Sequence, residues 1–165
     1  MARRSTVIVR DLGYSQIVED LNAAGEIFIT VGIHGEQGER KEGDPATNVL
    51  IGSVHEFGSP SRGIPQRSFI RSTMDEERER IGTLTAKAMD RVASGQLSAA
   101  QALGAVGQFA QTKIQQKITK LREPPNAPAT IAQKGSSNPL IDTGQMRASI
   151  THVVHNVGKR PSGGG

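Results

Sequence analysis

Two kinds of hydrophobic spacing alternate along the chain. Apolar residues recur every three or four positions over residues 14–23, which predicts a short amphipathic helix. The next stretch, residues 27–33, consists mostly of β-branched and aromatic residues, and its apolar residues at odd positions share one face of a strand. A second alternating stretch over residues 150–157 predicts another strand.

Residues 72–94 and 98–122 carry the two longest helical patterns. The first begins at Ser72 and Thr73, each followed three positions later by an acidic residue, which is a capping-box pattern. The second begins with the same pattern at Ser98 and ends before a Pro-Pro pair. We therefore expect two adjacent helices that form a helical hairpin.

A shorter helix is predicted between the first strand and these long helices. Asp44 supplies an N-cap, Pro45 occupies the first helical position, and Gly58 closes the helix in the left-handed conformation. Its apolar stripe consists of Val49, Leu50, Val54 and Phe57. We expect Phe57 and Phe69 in the core, because large apolar side chains usually pack inward.

Together these elements predict an α+β fold, in which a small, mostly antiparallel sheet is packed by the two long helices. Residues 1–158 form one domain with extended loops at 34–44 and 124–139. Residues 159–165 form a flexible basic and glycine-rich tail. We expect the two loops and the mobile termini to become ordered when the protein assembles with partners.

Composition narrows the available chemistry. The chain has 165 residues, of which 35% are hydrophobic and 3% aromatic, so one aliphatic core is expected. Because cysteine is absent, disulfides, a thiol nucleophile and Cys-ligated metals are excluded. No apolar run is long enough to span a membrane, and no apolar segment follows the N-terminal arginines, so we expect a cytoplasmic product.

The net charge of +4 is unevenly placed. Residues 113–165 contain eight Lys and Arg residues against two acidic residues. Four of the basic residues, Lys113, Lys117, Lys120 and Arg122, lie in the C-terminal half of the second long helix. They either complement the helix dipole or, together with the basic tail, contact nucleic-acid phosphates.

Few residues form a pattern typical of catalysis. Residues 142–144, Asp-Thr-Gly, match the active-site tripeptide of retroviral-type aspartic proteases, but here they precede a helix that Asp142 caps, with Gln145 at its third position. His152 and His155 point to opposite faces of the predicted strand, which does not favour binding of one metal ion. We expect no enzymatic activity, no cofactor and no metal.

Four short segments follow one another in a distinctive order. They are Val31-Gly32-Ile33, His55-Glu56-Phe57-Gly58, Ile64-Pro65-Gln66-Arg67-Ser68-Phe69-Ile70-Arg71 and Leu140-Ile141-Asp142-Thr143-Gly144-Gln145-Met146-Arg147-Ala148-Ser149-Ile150. Over residues 27–155 the chain resembles the tail-completion and head–tail joining (neck) proteins of tailed bacteriophages, a group that shades into the virion-morphogenesis proteins of Mu-like phages. Ser68 departs from the family pattern, in which proline is usual at this position.

The resemblance implies a structural virion protein without catalysis, which forms a ring of about six copies at the neck end of the tail. Its partners would be other copies of itself and neighbouring neck and tail proteins such as a tail terminator, stopper or tail tube. Contact with DNA in the channel would be non-specific, and no membrane is involved. The protein would reside in the virion and, during assembly, in the host cytoplasm. The alternative is a basic nucleic-acid-binding module that acts in packaging or regulation.

The resemblance and the local chemistry single out a few residues. The family-motif positions are Glu56, Phe57, Gly58, Pro65, Phe69, Asp142, Thr143 and Gly144. Pro65 fixes the entry of the chain into the segment that follows. Arg67 and Arg71 lie two positions before and two positions after Phe69, in a segment expected to be extended. They are therefore candidates for pairing with acidic groups on a neighbouring subunit.

Overall fold

The protein, in a computed structural model, is described over residues 13–35, 46–135, 137–141 and 143–156. The elements are α1 (Tyr14–Ala24), β1 (Ile27–Ile33), α2 (Asn48–Phe57), α3 (Arg71–Glu76), α4 (Arg78–Ala93), α5 (Ala99–Lys120), α6 (Pro128–Lys134), α7 (Gln145–Ala148) and β2 (Ile150–Asn156), with a 3-10 turn at Pro60–Arg62. The predicted α+β class is confirmed, since helices pack on a small antiparallel sheet.

The sheet consists of β1 and β2 in the described residues. They pair antiparallel from Ile27 opposite Asn156 to Ile33 opposite Ile150. Val31 lies opposite His152, and cross-strand partners share a face of the sheet. α5 packs on both strands, and its Gly107 lies close to His152. The face that carries Val31 and His152 is therefore the inner one, as the alternation in the sequence predicts.

The helix α5 forms the centre of the domain. Its buried side carries Val106, Ala110, Ile114 and Ile118, at the four-residue spacing of one helix face. α4 packs along α5 as the predicted second arm of the hairpin, and α1 packs on both. The core cluster consists of Phe69, Ile114, Ile118, Leu140, Met146 and Ile150. None of the helices in the described ranges is long and apolar enough to span a membrane.

One predicted helix start is confirmed and one is wrong. α5 begins with the predicted capping box, in which Ser98 and Gln101 exchange side-chain and backbone hydrogen bonds. Ser72 and Thr73, by contrast, lie inside α3, where their hydroxyls donate to the carbonyl oxygens one turn earlier. The predicted helix over 72–94 is also divided at Glu77, so that α3 and α4 are separate helices.

Two further caps differ from the prediction. α2 is capped by Thr47, whose hydroxyl accepts the Leu50 N–H at 3.1 Å, and the predicted cap Asp44 lies outside the described residues. α7 follows Gly144, which has a φ of 81°, so Gln145 is the first helical residue and not the third. The predicted cap Asp142 also lies outside the described residues. In both cases the N-cap lies nearer the helix than the predicted acidic residue: it is the Thr47 hydroxyl for α2 and Gly144 for α7.

The predicted exposed loop over 124–139 contains a helix and is tied to the core. Pro128 occupies the first position of α6, where its missing N–H costs no hydrogen bond. Farther along, the Asn138 side chain donates to the Thr119 carbonyl at 3.0 Å and accepts the Leu140 N–H at 2.9 Å. The segment is therefore not a loop throughout, and its ordering on assembly stays a prediction.

The contact between α5 and β2 gives a test of the packing. A Cβ added at Gly107 would lie 2.8 Å from Cδ2 and 3.1 Å from Cβ of His152. The ring cannot easily retreat, because its Nδ1 is 2.6 Å from Oε1 of Gln111. We expect Gly107→Ala to lower the free energy of unfolding by about 1 kcal/mol, as a steric cost of about 1–3 kcal/mol outweighs the gain in helix propensity.

Gly104 provides the matched control on the same helix. A Cβ there would make only an ordinary contact, 3.8 Å from Val154 Cγ2. Gly104→Ala should therefore raise the free energy of unfolding by up to about 1 kcal/mol through helix propensity. Urea denaturation of both variants measures the difference, and equal effects at the two positions would contradict the close helix-to-strand contact.

Candidate assembly surface at the α2 end of the domain

A buried carboxylate at the end of α2 holds the start of α3. Glu56 accepts four hydrogen bonds of 2.7–3.0 Å from the Ser68 hydroxyl and the backbone N–H groups of Phe69, Ile70 and Arg71. The first N–H groups of a helix have no partner within it, and α3 has no side-chain cap of its own. Glu56 therefore acts as the cap of α3 from another helix.

The same hydrogen bonds determine the charge of Glu56. Burial raises the pKa of its carboxyl, but the hydrogen bonds from Ile70, Ser68, Arg71 and Phe69 outweigh burial and lower the pKa below its ordinary value of 4.5. Ser68, the departure from the family pattern, contributes a donor that proline lacks. The carboxylate is thus held ionised inside the domain.

Arg67 is buried and bound within its own chain. Its Nε donates to the Pro124 carbonyl at 2.7 Å and its Nη2 to the Pro125 carbonyl at 2.8 Å. Its backbone N–H donates to the His55 carbonyl at 2.7 Å. The sequence-based interpretation of Arg67 as a surface group for a neighbouring subunit is therefore wrong, whereas Arg71 is exposed as that interpretation requires.

The helix α2 presents its apolar side to solvent. Its buried residues are Asn48, Gly52 and Glu56, which recur at four-residue spacing. Leu50 is 51% exposed and Phe57 is 69% exposed, and Val49 is exposed as well. The expectation that Phe57 belongs to the core is wrong, while Phe69 is fully buried as predicted.

Two contacts explain why the polar side of α2 faces the interior of the domain. A Cβ at Gly52 would lie 2.7 Å from Cδ1 of Ile33, so a larger residue there would require the end of the Ile33 side chain to move. Four residues later, Glu56 needs the same side in order to reach the start of α3. These two contacts fix the rotation of α2 about its axis and leave its apolar stripe outside.

A groove with a volume of about 340 Å³ lies beside the exposed stripe. Its apolar wall comes from Ile33, Val49, Phe57 and Ile70. One basic and one acidic side chain also line the groove, the exposed Arg71 and the buried Glu56. The "α2 groove", as we call this cavity and the adjoining exposed residues of α2, is suited to an apolar segment.

The remaining motif positions shape the backbone around this groove. Gly58 has a φ of 77° and a ψ of 171°, a region essentially reserved for glycine but different from the predicted left-handed helical one. Pro65 is exposed and lies in the segment that runs from the 3-10 turn to Phe69. Thr143 and Gly144 line a separate cavity of about 220 Å³ on the other side of α2, with Ile51 and His55.

The basic half of α5 is partly neutralised within the chain. Lys113 pairs with Glu77 at 2.8 Å, and Lys117 pairs with Glu76. Arg122 donates to two carbonyl oxygens at the end of its own helix, which is the dipole-complementing role. Of the four predicted phosphate-binding residues, only Lys120 makes none of these contacts in the described residues. The nucleic-acid alternative stays a prediction.

The outer face of the sheet holds a row of hydrogen bonds that the sequence did not indicate. Thr30 Oγ1 lies 2.8 Å from Nε2 of both His34 and His155, and His34 Nδ1 lies 2.8 Å from Thr151 Oγ1. Burial, and then the two other histidines of the sheet, lower the pKa of His34. The histidines on the two faces are separated as predicted, and no metal-binding group of three side chains occurs among the described residues.

Comparisons with protein-family models, with curated proteins and with solved structures find no match to this chain. The similarity to phage neck proteins therefore rests on the four sequence segments. In the structure these segments meet at one end of the domain, where Ile33, Phe69, Leu140 and Ile150 belong to the core or pack against it. The segments thus build the part of the domain that carries the α2 groove.

The buried carboxylate gives a direct test of this site. We expect Glu56→Gln to lower the free energy of unfolding by about 2–4 kcal/mol, because the amide nitrogen cannot accept the hydrogen bonds that one carboxylate oxygen accepts. Urea denaturation at neutral pH measures the loss. The exposed Glu26→Gln is the matched control, with an expected change within about 0.5 kcal/mol.

The pH dependence of the same two proteins identifies the ionised form. Because the folded-state pKa of Glu56 lies below 4.5, its stabilising effect is complete above that pH and is lost as the pH falls through the folded-state pKa. The difference between the natural protein and Glu56→Gln should therefore shrink in acid. A difference that stays constant from neutral to strongly acidic pH would contradict the role of the charge.

Proposed function

We propose that this chain is a structural protein of a tailed-bacteriophage virion, which completes the tail or joins it to the head as a subunit of a ring of about six copies. The observation that carries the proposal is the outward apolar stripe of α2, formed by Val49, Leu50 and Phe57. The order of the four segments that resemble neck proteins specifies the kind of assembly.

The energetics of the stripe favour a partner. Full burial of a large apolar side chain contributes about 1.5–3 kcal/mol, and Val49, Leu50 and Phe57 still expose 41–69% of their surface, so a neighbour that covers them gains part of this amount for each. Three such side chains on one short helix therefore suffice for the centre of an interface. α2 also has a role in the fold, because its opposite side supplies the buried Glu56.

The polar groups of the same region support a structural role. The Glu56 carboxylate accepts four hydrogen bonds from its own chain, and the Arg67 guanidinium donates to the carbonyl oxygens of Pro124 and Pro125. The proposed partners are other copies of this chain and the adjacent neck and tail proteins. Any contact with channel DNA would be a non-specific phosphate contact.

Removal of the gene from its phage tests the proposed function. We expect electron micrographs of the resulting lysates to show filled heads beside separate tails, because the joining ring is missing. A plasmid copy of the gene should restore joined particles. Normally joined particles without the gene would contradict the proposal and favour the basic nucleic-acid-binding alternative.

The exposed stripe gives a test with the purified protein. We expect Leu50→Glu to raise the dissociation constant of the assembly about 10- to 100-fold, which corresponds to the roughly 1–3 kcal/mol of one apolar anchor. Sedimentation velocity over a concentration series measures the shift. Thr83→Glu, at an exposed position of α4, is the control and should assemble like the natural protein.

A further inference from the structure

A single hydroxyl group joins two histidine rings on the outer face of the sheet. Thr30 Oγ1 lies 2.8 Å from Nε2 of His34 and 2.8 Å from Nε2 of His155. The other ring nitrogen of His34, Nδ1, lies 2.8 Å from Thr151 Oγ1. The four side chains thus form one continuous hydrogen-bonded row, which links β1 and the residue after it to β2.

The register of the sheet holds these groups in place. Phe28 lies opposite His155, and their rings stack with centroids 4.7 Å apart and planes 17° from parallel. Stacking fixes the plane of the His155 ring and, with it, the position of Nε2. His34 follows directly on Ile33, whose side chain packs against the core. All four side chains of the row are half-buried, so protons from the solvent can reach them.

The hydroxyl of Thr30 carries only one proton, which restricts the row. It can donate to one imidazole, so the other imidazole must donate its own N–H to the Thr30 oxygen. With both rings neutral, the donors can point along the row in either of two directions, from Thr151 to His155 or from His155 to Thr151. In each direction, all three hydrogen bonds have one donor and one acceptor.

One added proton fits this row, and a second does not. If His34 is protonated, its two N–H groups donate to Thr30 and Thr151, and the Thr30 hydroxyl still donates to His155. If His155 is protonated instead, the donors point without a break from His155 to Thr151. With both rings protonated, two N–H groups share one oxygen, and the Thr30 proton has no acceptor in the row. The two positive charges also repel each other, since both Nε2 atoms lie 2.8 Å from the same oxygen.

The surrounding elements do not offset this repulsion in the described residues. The helices packed on or adjoining the strands are α5, α2, α7 and α1, and none of their titratable side chains forms an ion pair or hydrogen bond with His34 or His155. These side chains are Lys113, Lys117 and Lys120 of α5, His55 and Glu56 of α2, Arg147 of α7, and Tyr14, Glu19 and Asp20 of α1. His152 is bound to Gln111 on the inner face, and Glu26 before β1 forms no ion pair among the described residues. Burial, and then the charges of His155 and His152, lower the pKa of His34.

We infer that Thr30, His34 and His155 form a site for one proton, and that a second proton releases His34 from the row. His34 is the ring that leaves, because it lies beyond the end of β1, whereas His155 lies within β2 and stacks on Phe28. Release removes a side-chain link between the strands next to Ile33, which lines the α2 groove. The row is therefore an acid-sensitive clamp at one end of the sheet, and it does not depend on the proposed virion role.

A histidine titration of the whole chain by NMR tests the site. The ring C–H signals are assigned with the single variants His34→Gln and His155→Gln and are followed from about pH 8 to about pH 4. We expect the pair to bind its two protons in separate steps, the second at least about tenfold more weakly than the first. In each single variant, the remaining histidine of the pair should take up its proton in one step. His152, on the inner face, is the internal control and should keep a single step throughout.

Thr30→Val distinguishes the effect of the hydroxyl from that of the charges. Valine keeps the β-branched shape but has no oxygen, so the first proton loses its acceptor, and we expect the two steps to move closer together. Thr83→Val, at an exposed position of α4, is the matched control and should leave the titration unchanged. If both histidines of the natural protein titrate in one common step, or if Thr30→Val leaves their separation unchanged, the inferred site is wrong.

The release of His34 has its own measurement in the same samples. At pH values above the second step, nuclear Overhauser contacts should join the His34 ring to the Thr151 methyl group. Below that step these contacts should disappear, while those between Phe28 and His155 stay. If the His34 contacts persist when both rings are protonated, the inferred release is wrong. None of these results depends on ring formation, which the removal of the gene tests separately.

Discussion

The carboxylate of Glu56 is the interaction on which this end of the domain depends. It replaces the missing cap of α3, because it accepts hydrogen bonds from the Ser68 hydroxyl and from the backbone N–H groups of Phe69, Ile70 and Arg71. A buried carboxylate is costly unless every oxygen is satisfied, so the four donors are required as a set. Once they are in place, the orientation of α2 is determined, since Glu56 can reach them from one side of that helix only.

That orientation explains why an amphipathic helix is turned outward. Glycine at position 52 allows the close approach to Ile33, and Glu56 completes the same side one turn later. Ile51 still packs against the core, whereas Val49, Leu50 and Phe57 lie outside it. Their exposure is thus a consequence of how the domain is built.

The segments that resemble those of phage neck proteins mainly stabilise the fold. Ile33, Phe69 and Ile150 build or contact the core, and Arg67 anchors the start of the proline-rich segment. Because a fold supports many functions, these roles explain the sequence pattern without requiring a reactive site. Phe57 and Arg71 of the same segments line the α2 groove, so the segments also contribute to the exposed surface.

The sequence by itself determined the two strands, the α4–α5 hairpin, the capping box at Ser98 and the aliphatic side of α5, because local spacing and capping depend on neighbours in the chain. Only the tertiary structure decided which side of α1 and α2 is buried, that Phe57 is exposed and that Arg67 is internal. The physical reason is that these outcomes depend on partners far along the chain. Glu56 reaches residues 68–71, and Arg67 reaches residues 124 and 125, contacts that no local pattern encodes.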